Sequence, residues 1–168
     1  MVPEKPTNDL TVRNMSEIKL LSQCSVDERQ AAFELYLNSF EHYDASYDEE
    51  EQRNLIDRLS QADWFDGLVC FESGEGRGFC FFTKCYSSFD AKMALRIEEI
   101  YVRADLRNQG IGTRLLETLT QHAERNDISR ISLSTESRYR KAMNFYKGHG
   151  FLPRKGFVTL LKMIEPGR

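Results

Sequence analysis

The stretch Arg107-Asn108-Gln109-Gly110-Ile111-Gly112 constrains this chain more than any other. It follows an apolar, strand-like run ending at Val102 and precedes a helix-like run from about Thr113. Two glycines one residue apart let the backbone curl so that successive N–H groups point into one concavity. The helix that follows adds roughly half a positive charge at its N-terminus. Strand, loop and helix in that order make an anion site suited to a pyrophosphate. Competing phosphate loops fit poorly. A dinucleotide fingerprint needs a small residue three places after the second glycine, where Leu115 stands. A P-loop needs Gly-Lys-Ser/Thr, whereas Gly112 is followed by Thr113-Arg114. Taken alone, the pattern is also that of an ordinary glycine-containing turn.

A chain of 168 residues with 40% hydrophobic and 29% charged side chains reads as one globular domain. Its expected extent is 10–168, after a flexible leader over 1–9. No apolar run approaches the roughly 20 residues that span a bilayer, and the polar start is unlike a signal peptide; no membrane partner is expected. The net charge of −3 argues against a dedicated nucleic-acid binder. Cys24, Cys70, Cys80 and Cys85 form no Cys-x-x-Cys pair, so free thiols in a reducing cytoplasm are expected. His42, His122 and His149 show no metal-ligand spacing; no metal is expected.

Along the chain, Thr11–Met15 is a candidate first strand. Ser25-Val-Asp-Glu28 matches a capping box and opens a helix to about Ser39, and Ser46-Tyr-Asp-Glu49 repeats the signal before a second. Strands are expected at Gly67–Glu72, Gly78–Tyr86, Met93–Val102, Ile128–Ser134 and Phe157–Ile164, with a turn at Ser73–Gly76. Further helices are expected after the glycine loop and over Arg138–Lys147. Strands that first meander and then alternate with helices imply an α/β fold with a mixed sheet covered by helices.

The long strand changes phase. Leu95 and Ile97 share one face, yet Ile100 and Val102 fall on the other if the pleat is regular. A β-bulge at Glu98-Glu99 restores all four to the core; a strand buried on both faces needs none. Two adjacent carboxylates on an otherwise apolar strand are candidates for proton transfer, since burial and a like charge raise one pKa. Alternation that turns one of them to solvent explains one glutamate but not both, since adjacent strand residues face opposite sides.

A second motif lies about thirty residues beyond the loop: Ala142-Met-Asn-Phe-Tyr146-Lys-Gly-His-Gly150-Phe151. The two motifs, in this order, resemble the signature of the GCN5-related N-acetyltransferases. The resemblance implies that family's fold, with a sheet of six to seven strands, about four helices and a bulged fourth strand. It also implies a cytoplasmic enzyme that uses acetyl-CoA as cosubstrate and a small-molecule primary amine as acceptor, by direct attack in a ternary complex; an amino-acid or antibiotic amine, a protein lysine or N-terminus, a non-catalytic CoA-binding sensor and a homodimer stay open. The pyrophosphate is then expected on Arg107, Asn108, Gln109, Gly110, Ile111, Gly112 and Thr113, and the pantetheine beside Ile100, Tyr101 and Val102. The tyrosine of the second motif lies near the thioester in that family, which implies Tyr146 as the general acid; without the family, a tyrosine on an apolar helix face reads as packing more often than as catalysis.

Phe81-Phe82-x-x-x-Tyr86-Ser-Ser-Phe89 and Ile97-Glu-Glu-Ile-Tyr-Val102 are similar to segments of diamine acetyltransferases. That similarity implies Glu98 as the residue activating the amine and Glu99 as a substrate-holding residue. Arg138-Tyr139 replaces the Trp-Asn of those enzymes, which places Tyr139 where an asparagine contacts CoA, and their C-terminal tryptophan is absent here. The acidic run Asp44 and Asp48–Glu51 reads as a solvated helix start or as a field that attracts a cationic amine. Arg138, Arg140 and Lys141 read as a solvated helix face or as partners for the 3′-phosphate of CoA.

Overall fold

Alternation in Glu17-Ile18-Lys19-Leu20 produces β1 (Glu17–Leu20), two residues beyond the expected first strand, which lies outside the described residues. The structure is a computed structural model that describes residues 16–40, 48–154, 156, 160 and 162. Two compact units emerge, Met1–Ser134 and Thr135–Arg168.

In the first unit, α1 (Val26–Ser39) opens on the expected capping box. The Glu28 N–H donates to Ser25 Oγ, and the Ser25 N–H donates to the Glu28 carboxylate. Helix α2 (Glu49–Gln61) is capped by Asp48 with Glu51, two residues later than expected. Asp-x-x-Glu satisfies the first-turn donors as well as Ser-x-x-Glu does, so the spacing alone does not fix the start. Then follow β2 (Phe65–Glu72), β3 (Glu75–Ser87) and β4 (Lys92–Val102). The β2–β3 hairpin turns on Ser73 and Gly74, at φ 53° and 80°, as a two-residue turn with both central residues left-handed requires.

Helix α3 (Ile111–Arg125) and the short β5 (Ile131–Leu133) complete this unit. The sheet runs β1-β2-β3-β4-β5, antiparallel except for the parallel β4–β5 pair. Five strands are found among the described residues, fewer than the six to seven expected. The larger count included a closing strand over 157–164, most of which lies outside the described residues; 151–154 carries no ladder.

Helices cover the sheet on both faces, which is why β2 is buried along nearly its whole length. On one face Ala32, Phe33 and Leu35 of α1 pack on Phe65, Val69, Phe71, Phe79 and Phe81, with Leu59 and Ala62 at the margin. Gly67 belongs to this packing. A Cβ there would lie 2.3 Å from the Phe81 ring, so only glycine admits the ring. On the other face α3 buries Leu115, Leu116, Leu119 and Ala123.

In the second unit, α4 (Arg140–Gly148) closes on a Schellman motif. The Phe151 N–H donates to the Tyr146 carbonyl and the Gly150 N–H to that of Lys147. Gly150 is left-handed at φ 84°, and the Tyr146 and Phe151 rings pack 5.9 Å apart. The Gly-Phe of the second motif thus has a helix-ending role of its own.

Candidate functional site

The site is built around one extra residue in β4. Glu99 pairs with Phe81 but Ile97 pairs with Phe82, so Glu98 is left without a partner. This is the bulge that the phase change implied, and it realigns the strand. Leu95, Ile97, Ile100 and Val102 oppose Lys84, Phe82, Cys80 and Gly78, alternate residues of β3, and so share the face toward α3. Glu99 and Tyr101 oppose Phe81 and Phe79 and face α1.

Glu98 also faces α1. It accepts a hydrogen bond from Thr83 Oγ1 at 2.8 Å and lies 3.4 Å from Arg96, the β4 partner of Thr83. The expectation that adjacent glutamates must face opposite sides is therefore corrected: the bulge turns both carboxylates to one face.

Their surroundings differ. The Glu98 side chain is 42% exposed and paired with Arg96. Glu99 is only partly exposed, and its carboxylate accepts a hydrogen bond from Ser39 Oγ at 2.7 Å. Burial pushes the Glu99 carboxyl above the ordinary glutamate range, and the Ser39 hydrogen bond opposes that rise.

Past Ile97 the second edge of β4 is open among the described residues, because β5 pairs only with Leu95–Ile97. The Arg103 N–H donates to the Arg77 carbonyl on β3 at 3.1 Å, so the Val102 carbonyl, across a trans peptide, points to the open edge. There it accepts from Arg107 Nε at 3.2 Å, with the guanidinium 5.9 Å from the Tyr101 ring centroid.

Beyond β4 a 3₁₀ turn at Ala104–Leu106 leads into the glycine loop. Arg103 fixes this joint through Asp105 at 3.0 Å and through Glu75 of the hairpin at 3.6 Å. Asn108 and Gly110 are left-handed at φ 63° and 82°. Gly110 is the N-cap of α3, and no side chain caps that turn among the described residues. The N–H groups of Ile111, Gly112 and Thr113 therefore have no partner within the helix. The space where a Gly110 Cβ would sit is open. Donors without a helical partner, a helix N-terminus with no acidic residue in its first turn, and open space beside Gly110 are features that suit an anion.

Glu98, Glu99, the open β4 edge and the glycine loop thus come together within the first unit. Tyr139 and Tyr146 belong to the second. Tyr139 is the N-cap of α4, 47% exposed, with the Arg138 guanidinium 5.2 Å from its ring centroid and Arg138 paired to Glu136 at 2.6 Å. Tyr146 packs against Phe145 and Phe151. Of the acidic run, Asp48 and Glu51 serve as the α2 cap, and Asp44 lies outside the described residues. Sequence reasoning missed Ser39, because no local pattern marks a helix-terminal serine as the partner of a glutamate sixty residues away. Among the described residues no helix is long and apolar enough to cross a membrane, and no group of three or more His, Cys, Asp or Glu gathers to hold a metal.

Comparison with known proteins bears on the family and the fold. A profile of the Acetyltransferase (GNAT) family matches residues 29–151. An uncharacterised N-acetyltransferase of Bacillus subtilis (strain 168) is 32% identical over 91 residues, 54% of this chain. That match spans only 61% of the relative's own length. An uncharacterised N-acetyltransferase of Methanocaldococcus jannaschii is 25% identical over 164 residues, covering 92% of this chain and 71% of that one. The crystal structure of a probable acetyltransferase shares the fold at a TM-score of 0.77 and 23% identity, over 90% of this chain and 99% of that one.

Proposed function

The chain belongs to the acetyltransferase (GNAT) family, and we propose that it transfers the acetyl group of acetyl-CoA to a primary amine of a small di- or polyamine, by direct attack in a ternary complex. The observation that carries this reading is the bulge, which sets two carboxylates on one face of β4, next to an open strand edge and a few residues before the anion loop. One carboxylate suffices for proton transfer; a second beside it suits an acceptor with more than one positive charge.

The amides of Asn108 to Thr113 take the pyrophosphate, and the open edge at Ile100–Val102 takes the pantetheine amides. Arg107 Nε donates to the Val102 carbonyl at that edge, and the carbonyl's second lone pair can accept a pantetheine N–H beside it. The resemblance assigns amine activation to Glu98 and substrate holding to Glu99. Burial and pairing favour the reverse: Glu99, half-buried with a raised pKa, takes a proton from the ammonium, while Glu98, exposed and paired with Arg96, meets a second positive charge of the acceptor.

The freed nitrogen lone pair then attacks the thioester carbon. The C–N bond forms and the C–S bond breaks; the acylated nitrogen gives up its second proton to solvent, and the leaving thiolate gains one, the donor being, by the resemblance, the Tyr146 hydroxyl, which recovers its proton from solvent. One proton is lost to solvent overall. The test is CoA release across diamines, polyamines, amino acids, aminoglycosides and peptides. Turnover of diamines or polyamines is expected; release with peptides alone overturns the acceptor class.

A further inference from the structure

Ser39 ends α1 and is fully buried. Its hydroxyl lies 2.7 Å from the Tyr36 carbonyl and 2.7 Å from Glu99 Oε1. A hydroxyl has one hydrogen to donate, so it cannot serve both acceptors at once. Which one it serves depends on the charge of Glu99. Toward an ionised carboxylate the bond is charge-assisted and wins. Once Glu99 is protonated at Oε2, Oε1 is a neutral carbonyl oxygen of the same kind as that of Tyr36, and the preference disappears.

We propose that Ser39 is a positioning residue for the transfer reaction: it holds Oε1 of Glu99 so that Oε2 faces the acceptor amine, and its hydroxyl favours the carboxylate form. This rests on the reading of Glu99 as the proton acceptor. In the step, the ammonium gives one proton to Oε2 and the N–H electron pair stays on nitrogen. Ser39 keeps its own hydrogen, and Glu99 later passes its proton to water.

The surroundings leave Ser39 as the polar group that the structure shows bonded to Glu99. On β4, Glu98 and Arg96 share the face and pair with each other, and Thr83 of β3 is bonded to Glu98. The Tyr36 ring of α1 and the Tyr101 ring of β4 pack on Phe79. On α2, Asp57 and Arg58 precede Leu59 and are exposed. Burial is the largest influence on the Glu99 carboxyl and the Ser39 bond the opposing one, so removing the bond leaves burial unopposed.

The experiment is carboxyl-carbon NMR of protein carrying isotope-labelled glutamate, titrated with pH, with the Glu99 signal identified by its loss in Glu99→Gln. Ser39→Cys keeps the side-chain volume and weakens the donor; Ser39→Ala is the second variant should the first not fold. In both, the Glu99 midpoint should rise by about one pH unit above that of the native chain. The acid limb of kcat/KM for spermidine should move with it, a shift that a merely structural serine does not produce. An unchanged midpoint overturns the role of Ser39 even when Glu99→Gln is inactive. Full turnover by Glu99→Gln instead overturns Glu99 as the proton acceptor, and the two failures are distinguishable.

Discussion

A half-buried carboxylate is carried at a cost in stability, and Glu99 bears that cost at neutral pH. Its pKa in the folded chain lies above the ordinary glutamate value because burial disfavours its charge. A raised carboxyl pKa means that the folded state binds the proton more tightly than the unfolded one. The penalty is therefore absent well below the ordinary range and grows as pH rises through it. Glu99→Gln removes the charge and keeps an oxygen for Ser39. Its melting temperature should exceed that of the native chain near pH 7, with the gap closing toward about pH 4; a variant less stable at pH 7 contradicts the burial argument. Tyr146 is the other residue whose role turns on a single polar atom. Tyr146→Phe keeps the ring that packs on Phe145 and Phe151. Acetyl-CoA affinity and melting temperature should therefore hold while kcat falls by about a hundred- to ten-thousand-fold. An unchanged kcat leaves the tyrosine as packing alone.

Elements place these residues, and here the glycines decide most. At Gly110 any side chain is strained at φ 82° and projects into the open space above the first-turn amides of α3. Gly110→Val should abolish measurable CoA binding by calorimetry while far-UV circular dichroism stays native; a folded variant with native affinity contradicts the anion loop. At Gly150, φ 84° within the Schellman motif makes Gly150→Ala costly by roughly 1–2 kcal/mol. That corresponds to a fall in melting temperature of about 2–8 °C, which a thermal scan reads directly. The odd spacing from Ile97 to Ile100 made the bulge legible in the sequence, because only an extra residue returns both apolar pairs to one face. The same local pattern could not show that Glu98 follows Glu99 to the α1 side, since that depends on which β3 residue each one opposes. Ser39 was equally hidden: its contact with Glu99 exists only once α1 packs on β4. The α2 start was misplaced because Ser46 and Asp48 are equivalent caps until the helix itself chooses.

For the whole molecule, the order of strands, loop and helices was readable because glycines and capping boxes punctuate it, and that order is what the GNAT family shares. Strand number was less readable: five strands pair among the described residues, and the closing strand expected over 157–164 lies mostly outside them. The account joins an anion loop, an open strand edge and a carboxylate pair into one acetyl-transfer site. The measurement that tests this most directly is thiol release from acetyl-CoA by the full chain, with and without spermidine and with mass analysis of the acceptor. The account predicts amine-dependent CoA release and an acetylated spermidine, reduced about a hundredfold or more in Glu99→Gln. Tight acetyl-CoA binding without amine-dependent release from any primary amine would contradict it.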